Sequence, residues 1–206
     1  RVEQALSLFD HPERCYPVLH IAGTNGKGST AAMLHSILCA QGYQTGLYTS
    51  PHLASFSERI RVGHREISPE EVVDFAETLR RRLGEENITL TFFEFVTVMA
   101  MIYFAHHGAT VAVLEVGMGG RLDATNLVEP EVSIITTIAK DHEAYLGSDL
   151  QSIAREKAGI IKDGVPVVGG ALDPQAKLVI ENIARTKGCD TRLFDRDFSV
   201  KLGEND

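Results

Sequence analysis

The sequence predicts an α/β fold: a doubly wound, mainly parallel sheet with helices on both faces. Three features of the 206 residues support this prediction. Short β-branched apolar runs alternate with longer segments that carry apolar residues at helical spacing. Helix-start signals recur between the runs, and a glycine-rich turn joins the first run to the first long helical segment. Alternation of this kind is typical of strands joined by right-handed helical crossovers.

Five apolar runs are predicted as buried parallel strands, because each is short and rich in branched apolar residues. They cover residues 17–23, 45–50, 110–116, 132–138 and 165–170. Helices are predicted over residues 28–41, 68–83 and 91–107, from residue 148 and from residue 173. SPEE at 68–71 predicts a capping box in which Ser68 caps the helix and Glu71 is its partner. SDLQ at 148–151 predicts another.

The segment from residue 51 to residue 67 interrupts this alternation. ERIRV and REI flank Gly63, and this pattern predicts a small hairpin over about residues 57–67, after a long loop. A long loop in a compact domain is usually functional.

The composition argues against several classes of protein. A net charge of −8 disfavours a broad phosphate-backbone binder, which needs a concentrated basic face. The three cysteines form no CxxC or zinc-type pair and are predicted to be reduced. No run of about 18 apolar residues is present, so no membrane span is predicted. We expect a cytoplasmic monomer without nucleic-acid or membrane partners.

The turn GTNGKGS at residues 23–29 is predicted to bind phosphate. It opens a helix after a strand, so main-chain N–H groups and the helix dipole converge on one point. Its glycines would let the main chain approach a ligand, and Lys27 would reach the outer phosphates. The standard P-loop has glycine at the position of Ile21 and a hydroxyl residue at that of Gly28. The alternative, a glycine-rich turn with a solvated lysine, is disfavoured by the flanking strand and helix patterns.

Four motifs resemble those of the folylpolyglutamate synthase and dihydrofolate synthase family, within the Mur ligase superfamily. They are GTNGKGS at 23–29, SPHLASFSERI at 50–60, LEVGMGGRLDATN at 114–126, and KDHEAYLG followed by REKAGIIK at 155–162. The resemblance implies an ATP-dependent amide ligase. The γ-phosphate of ATP would activate a carboxylate as an acyl phosphate, and the amine of L-glutamate would then attack it. The acceptor would be dihydropteroate, a tetrahydrofolate polyglutamate, or both.

The resemblance also implies the ATP and metal sites. ATP would be bound by Thr24, Asn25, Gly26, Lys27, Gly28, Ser29 and Thr30. Glu115 ends an apolar strand, where doubly wound sheets bind ligands, and would hold Mg²⁺ against the phosphates. The other expected metal ligands are Ser50, His142 and, as the second choice of hydroxyl, Ser29. Because imidazole is an unusual ligand for Mg²⁺, Mn²⁺ is also expected to be accepted.

Three side chains are expected to act in catalysis, namely Lys27, Lys157 and His142. The lysine that matches Lys157 is carbamylated in the superfamily, and the carbamate would hold a second metal or orient the γ-phosphate. Without the resemblance, Lys157 would be interpreted as a helix lysine paired with Glu156 or solvent. His142 beside Asp141 would likewise be interpreted as a surface pair.

The acceptor is expected to lie against the helix that follows Thr91. A flat heteroaromatic ring can stack on a phenylalanine, and Phe93 matches a pterin-binding position of the family. The residues expected to bind folate are Pro51, His52, Thr91, Phe93 and Asp141. The loop at 51–60 would close over the acceptor. The alternative is that Phe92, Phe93 and Phe95 belong to the core.

A second loop is expected to pass close to the substrate. It follows the GMGG run at 117–120 and carries Arg121, Asp123 and Asn126. The glycines would allow the close approach.

We expect residues 1–206 to form one ATP-binding domain of the Mur ligase type. Its start is expected to be trimmed, and the glutamate-binding domain that the family carries at its C-terminal side is expected to be absent from this chain. Three other functions stay open: a ligase with a UDP-muramyl acceptor, a P-loop nucleotide-binding module without ligase chemistry, and a degenerate structural domain.

Overall fold

The computed structural model describes residues 1–140 and 149–200. Within these ranges, one sheet has the strands β1 (Val18–Ala22), β2 (Thr45–Tyr48), β3 (Ile60–Val62), β4 (Arg65–Glu66), β5 (Val111–Glu115), β6 (Val132–Ile135), β7 (Val167–Gly169) and β8 (Thr191–Leu193). The helices are α1 (Val2–Ser7), α2 (Lys27–Ala40), α3 (Pro69–Glu85), α4 (Phe92–His106), α5 (Leu150–Lys157) and α6 (Pro174–Thr186). Short 3₁₀ turns cover Pro12–Arg14, Phe56–Arg59 and Ala158–Ile160.

The strands lie in the order β4-β3-β2-β5-β1-β6-β7-β8. The six strands β2, β5, β1, β6, β7 and β8 are neighbours in that order and pair in parallel. Strands β3 and β4 form an antiparallel hairpin, and β3 pairs antiparallel with β2 at the edge of this sheet. The doubly wound parallel sheet and its five predicted strands are therefore confirmed, as is the hairpin. Strand β8 was not predicted, since three residues that include the exposed Arg192 carry too little apolar signal.

Helices cover both faces of the sheet, as predicted. On β5, Val113 packs with α2, whereas its neighbours Ala112 and Leu114 pack with α3 and α4. Successive side chains of a strand point to opposite faces, so these helices lie on opposite sides. A further apolar cluster joins α5 and α6 to β6 and β7 through Ile135 and Val167.

The helix caps follow the sequence with one exception. Ser68 and Glu71 form the predicted capping box at α3. At α5 the predicted box SDLQ is wrong, because Asp149 is the cap and accepts the N–H of Ser152. An aspartate carboxylate accepts this bond as well as a serine hydroxyl does, so α5 begins at Leu150.

No helix within residues 1–140 and 149–200 is both long and apolar enough to cross a membrane.

Candidate functional site

The turn between β1 and α2 leaves the start of α2 open. Gly26 precedes the helix with φ of 80°, and no side chain caps the first turn. A Cβ at Gly26 would meet nothing within 4 Å. At Gly23, by contrast, a Cβ would collide with the Thr136 side chain, so only glycine fits there. The first-turn N–H groups of α2 therefore have no side-chain cap.

The segment after β6 holds this turn in place. The Thr24 hydroxyl donates to the carbonyl of Ala139 and accepts the N–H of Ala139, both at 3.1 Å. The Thr136 hydroxyl donates to the Asn25 carbonyl at 2.7 Å, and the Asn25 N–H donates to Thr137 Oγ1 at 3.1 Å. The side chain of Thr24 therefore shapes the loop by bonding to a neighbouring segment.

Lys27, Ser50 and Glu115 converge at the start of α2. Glu115 ends β5 and pairs in register with Ile21 of β1, directly before the turn. The Ser50 N–H donates to Glu115 Oε2 at 3.1 Å, and a Cβ on Gly28 would lie 3.4 Å from the same oxygen. Lys27 Nζ donates to the Thr24 carbonyl at 3.2 Å. Burial raises the pKa of Glu115, while the Ser50 amide and the Lys27 charge oppose that rise.

The carboxylate of Glu115 is a candidate ligand for a hard divalent cation. Glu115 is 4% exposed, and a buried carboxylate without a cation is costly. Among residues 1–140 and 149–200, no group of three or more His, Cys, Asp or Glu is placed to hold a metal. A metal here would thus share Glu115 with hydroxyl and phosphate oxygens, which is the ligand set of Mg²⁺. Ser29 is exposed on the first turn of α2. His142 and Asp141 lie outside the described residues.

The side chain of Lys157 reaches the glycine-rich turn at residues 23–29 from α5. It is the last residue of α5 and is 2% exposed, so it is not the solvated lysine of the alternative interpretation. Its Nζ donates to the Gly23 carbonyl at 2.8 Å. The main chain of Gly120 packs against the carbonyls of Glu156 and Lys157, with no room for a Cβ.

A cavity of about 640 Å³ adjoins Ser50. Its lining includes Ser50, Pro51, Arg59, Thr91, Phe93, Glu94, Gly117, Met118, Gly119, Gly120, Leu122, Asp123, Ala124 and Glu156. Three of the predicted folate-binding residues, Pro51, Thr91 and Phe93, thus share one cavity. His52 does not line it; its Nδ1 accepts a bond from Arg59 Nε at 2.8 Å.

Thr91 and Phe93 line the cavity, and Thr91 also caps α4. The Thr91 hydroxyl accepts the N–H of Glu94 at 3.3 Å, and the Glu94 carboxylate accepts the Thr91 N–H at 2.7 Å. Thr91 is therefore the N-cap of α4 as well as part of the cavity wall. Phe93 packs on Gly117, where a Cβ would enter the ring. Phe92 is 67% exposed and outside the core.

Arg59 is a cavity residue that the sequence analysis did not single out. It is 8% exposed, and its guanidinium carbon lies 5.9 Å from the centre of the Phe92 ring. Among the described residues it forms no ion pair with a carboxylate, and its Nε donates to His52 Nδ1. Its position in SFSERI, just before β3, was the only signal in the sequence.

The loop after β5 presents one carboxylate to the cavity. Asp123 lines it, and its carboxylate accepts from the N–H of Met118 at 3.0 Å and from the N–H and hydroxyl of Thr125 at 2.9 and 2.6 Å. Burial raises the pKa of Asp123, and these donors oppose the rise. Arg121 and Asn126 do not line the cavity. Arg121 binds Glu156 of α5 and Asn126 binds the Gly159 carbonyl in the 3₁₀ turn that follows, so they hold the loop on this segment.

Comparisons with known proteins agree with the family resemblance of the four sequence motifs. Residues 21–195 match the Mur ligase middle domain. The folylpolyglutamate synthase of Lacticaseibacillus casei is 41% identical over 205 residues, which are 97% of this chain and 48% of that protein. The dihydrofolate synthase/folylpolyglutamate synthase of Escherichia coli (strain K12) is 46% identical over 173 residues, which are 83% of this chain and 40% of that protein.

A solved FPGS–AMPPCP–folate complex is also similar, with a TM-score of 0.94 and 40% sequence identity. The match covers 99% of this chain and 52% of that chain. This chain spans about half the length of the curated relatives that it matches. The family resemblance drawn from the four motifs is confirmed: the chain belongs to the Mur ligase middle domain family.

Proposed function

We propose that the protein is an ATP-dependent ligase that joins L-glutamate to a folate-type carboxylate through an acyl phosphate. The observation that carries this proposal is one edge of the sheet, where the open start of α2 meets Glu115 and a cavity with an aromatic wall. The relatives named above are folylpolyglutamate and dihydrofolate synthases, and one solved complex holds AMPPCP with folate. We expect the L-glutamate site in the additional domain that the family resemblance implies.

The phosphates of ATP would lie at the start of α2. Its uncapped N–H groups and helix dipole favour an anion, and Lys27 adds a positive charge beside Gly26 and Gly28. On the first turn of α2, Ser29 is exposed and Thr30 is half-buried, while Thr24 and Asn25 shape the turn from behind. Catalysis would come from this positioning and from fixed charge.

Glu115 and Ser50 would hold Mg²⁺, with His142 as a further expected ligand and Mn²⁺ as an accepted substitute. When bound, the metal would neutralise the charge of the β- and γ-phosphates. Glu115 suits this role because its carboxylate is buried beside the open turn. Metal binding requires the ionised carboxylate. Because the pKa of Glu115 is raised, we expect it to bind metal only at a pH above that raised pKa.

Lys157 would carry the carbamate. Carbamylation would require the ammonium of Lys157 to lose one proton; the neutral amine would then form an N–C bond with CO₂ and release a second proton, so that a cation becomes an anion. Lys157 Nζ lies 2.8 Å from the Gly23 carbonyl, at the base of the phosphate-type turn, so an anion there would face the same site. Activity that rises with added bicarbonate and is lost in Lys157→Met would support this role.

The acceptor would occupy the 640 Å³ cavity. Phe93 offers a face for a flat heteroaromatic ring, and Asp123 offers an acceptor for ring N–H groups. Arg59 offers a buried cation for an anionic part of the same molecule. An aromatic wall favours a folate-type acceptor over a UDP-muramyl acceptor, and the cavity next to the turn favours a ligase over a nucleotide module.

The test is ADP release by the intact protein with ATP, Mg²⁺ and L-glutamate. Dihydropteroate, tetrahydrofolate and a UDP-muramyl peptide are compared as acceptors. We expect glutamate-dependent release with one or both of the first two. Release only with the muramyl acceptor would reassign the substrate, and nucleotide binding without any glutamate-dependent release would reject the ligase. Monomeric state, location in the cytoplasm and lack of nucleic-acid or membrane partners stay predictions from the sequence.

A further inference from the structure

His20 is a fully buried polar side chain for which the proposed chemistry has no use. It lies in β1 at the centre of the sheet, in register with Leu114 of β5 and Ser133 of β6, and is 0% exposed. A buried polar group destabilises the fold unless it is hydrogen-bonded, and an apolar residue would serve packing alone. His20 therefore needs an explanation in terms of its partner.

The partner of His20 is Thr125, in the loop that carries Asp123. His20 Nε2 lies 2.8 Å from Thr125 Oγ1, and Thr125 Oγ1 lies 2.6 Å from Asp123 Oδ1. A carboxylate only accepts, so the single hydroxyl proton of Thr125 is donated to Asp123. Thr125 Oγ1 can then only accept from His20, which requires the proton of the imidazole to be on Nε2.

The other ring nitrogen supports this tautomer. Among the residues that the structure describes, His20 Nδ1 is buried and has no hydrogen-bond partner. A proton on Nδ1 would be an unsatisfied buried donor, whereas a bare lone pair is less costly. Burial, with a smaller contribution from the Lys162 charge, lowers the pKa of His20 to about 3, so the ring is neutral near pH 7.

The chain of bonds runs from the centre of the sheet to the cavity wall. Thr125 is also 0% exposed, and its own N–H donates to the same Asp123 oxygen at 2.9 Å. Bonds arranged in series polarise one another, so a donor behind the hydroxyl strengthens the bond from the hydroxyl to the carboxylate. Asp123 is thereby held in one orientation as an acceptor, on a loop that otherwise lacks secondary structure.

We propose that His20 is a positioning residue for acceptor binding: acting through Thr125, it holds the Asp123 carboxylate ready to accept ring N–H groups in the cavity. This role rests on the proposed function for the identity of the ligand. The hydrogen-bond chain from His20 through Thr125 to Asp123 does not depend on the proposed function, because it is formed by the protein alone.

The central experiment compares His20→Met, which removes the donor at similar volume, with His20→Gln, which keeps an N–H that can reach Thr125. Steady-state kinetics of the intact protein would be measured with dihydropteroate or tetrahydrofolate. We expect His20→Met to raise the KM for the acceptor about tenfold, as for one weakened bond to a charged group. The KM for ATP should stay unchanged, and His20→Gln should recover most of the loss.

Two further variants separate positioning from general damage. Thr125→Val is nearly isosteric and should raise the acceptor KM as His20→Met does, whereas Thr125→Ser should not. The double variant with His20→Met and Thr125→Val should raise the acceptor KM no more than Thr125→Val alone, because both changes break the same hydrogen-bond chain. Ser133→Ala is the matched control, since Ser133 is buried beside His20 but donates to the Ile160 carbonyl. It should leave the acceptor KM unchanged.

A ligand-free measurement keeps the two proposals distinguishable. Nitrogen-15 NMR of the histidines should show His20 protonated on Nε2 alone, with a resonance that moves in Thr125→Val. An Nδ1–H tautomer would overturn the bond chain. If the tautomer is as expected but the acceptor KM does not change in any folded variant, or rises together with the KM for ATP, the positioning role is rejected. Absence of glutamate-dependent turnover in the wild type would instead reject the proposed function, and with it the acceptor role of His20.

Discussion

The start of α2 and the starts of the other long helices solve the same physical problem in different ways. Each helix has four N–H groups at its start that lack partners within the helix. For the four other helices of eight or more described residues, a side chain accepts one of them. These caps are Ser68, Thr91, Asp149 and Asp173. At α2 the corresponding residue is Gly26, which has no side chain to offer.

The comparison shows what α2 gives up and what it gains. A side-chain cap stabilises a helix by about 1 kcal/mol, and α2 forgoes this contribution. Its turn is held instead by Thr136 and Thr137, which bond to the main chain of Asn25. The N–H groups of α2 stay available to an external anion. The empty cap position, in contrast to the four filled ones, supports the proposal that ATP binds at the start of α2.

The largest effect is expected where the open turn meets Glu115. We predict that Glu115→Gln lowers turnover on the order of 10³-fold, because the neutral amide is a poor metal ligand. The same change should stabilise the ligand-free protein near neutral pH. The folded-state pKa of Glu115 is raised, so its contribution to stability is complete at low pH and is lost as pH rises through that pKa. Glutamine does not titrate and avoids that loss.

Turnover and the urea midpoint of unfolding would be measured for Glu115→Gln near neutral pH and in mildly acidic buffer. The gain in stability over wild type should shrink as the pH falls. Glu13→Gln is the control, since Glu13 is a buried carboxylate that pairs with His11 at 2.9 Å, away from the cavity. It should lose stability and keep turnover. Full activity in Glu115→Gln would contradict the metal assignment.

A smaller effect is expected from a methyl group at the open turn itself. Gly26 has φ of 80° and Gly108, after α4, has φ of 66°, and a Cβ added to either glycine would meet no atom within 4 Å. Alanine at either position should lower the free energy of unfolding by about 1 kcal/mol through backbone strain. Only Gly26→Ala should also weaken binding of a non-hydrolysable ATP analogue, by about tenfold.

Calorimetric titration and chemical unfolding of both alanine variants would check this prediction. Equal loss of nucleotide affinity in Gly108→Ala would mean that the effect is one of general stability and that the uncapped turn has no special role.

The smallest effect is expected at a filled cap. Thr91→Ala and Ser68→Ala each remove an N-cap, and each should lower the free energy of unfolding by about 1 kcal/mol. Thr91 also lines the cavity, whereas Ser68 does not. Thr91→Ala should therefore raise the acceptor KM a few-fold while Ser68→Ala leaves it unchanged. If both variants behave alike in kinetics, the only role of Thr91 is to cap α4.

Local sequence patterns were sufficient for most of the fold. The five parallel strands, the capping box of Ser68 and the hairpin around Gly63 follow from spacing and residue type over a few positions. The same holds for the turn around Lys27, because a strand, three glycines and a helix start are contiguous. The capping box predicted at SDLQ was wrong because serine and aspartate are equally favourable N-cap residues, and the sequence alone did not distinguish Ser148 from Asp149.

The cavity was only partly predictable. Phe93 and Thr91 were found through a family resemblance, whereas Arg59 looked like an ordinary charged residue of a loop. Its burial depends on the Phe92 ring and on His52, which only the folded chain brings to it. His20 falls within the predicted strand at 17–23 and was given no role, since its partner is 105 positions away.

The sequence by itself determined which segments become strands and helices, and that a glycine-rich turn opens α2, because these features depend on contacts between near neighbours. Only the tertiary structure decided that Glu115 lies beside Gly28, that Lys157 reaches Gly23, and that His20 supports Asp123 through Thr125. Parallel strands bring their carboxyl ends to one edge from distant points of the chain. The order of the strands, which no local pattern encodes, therefore selects the side chains that meet there.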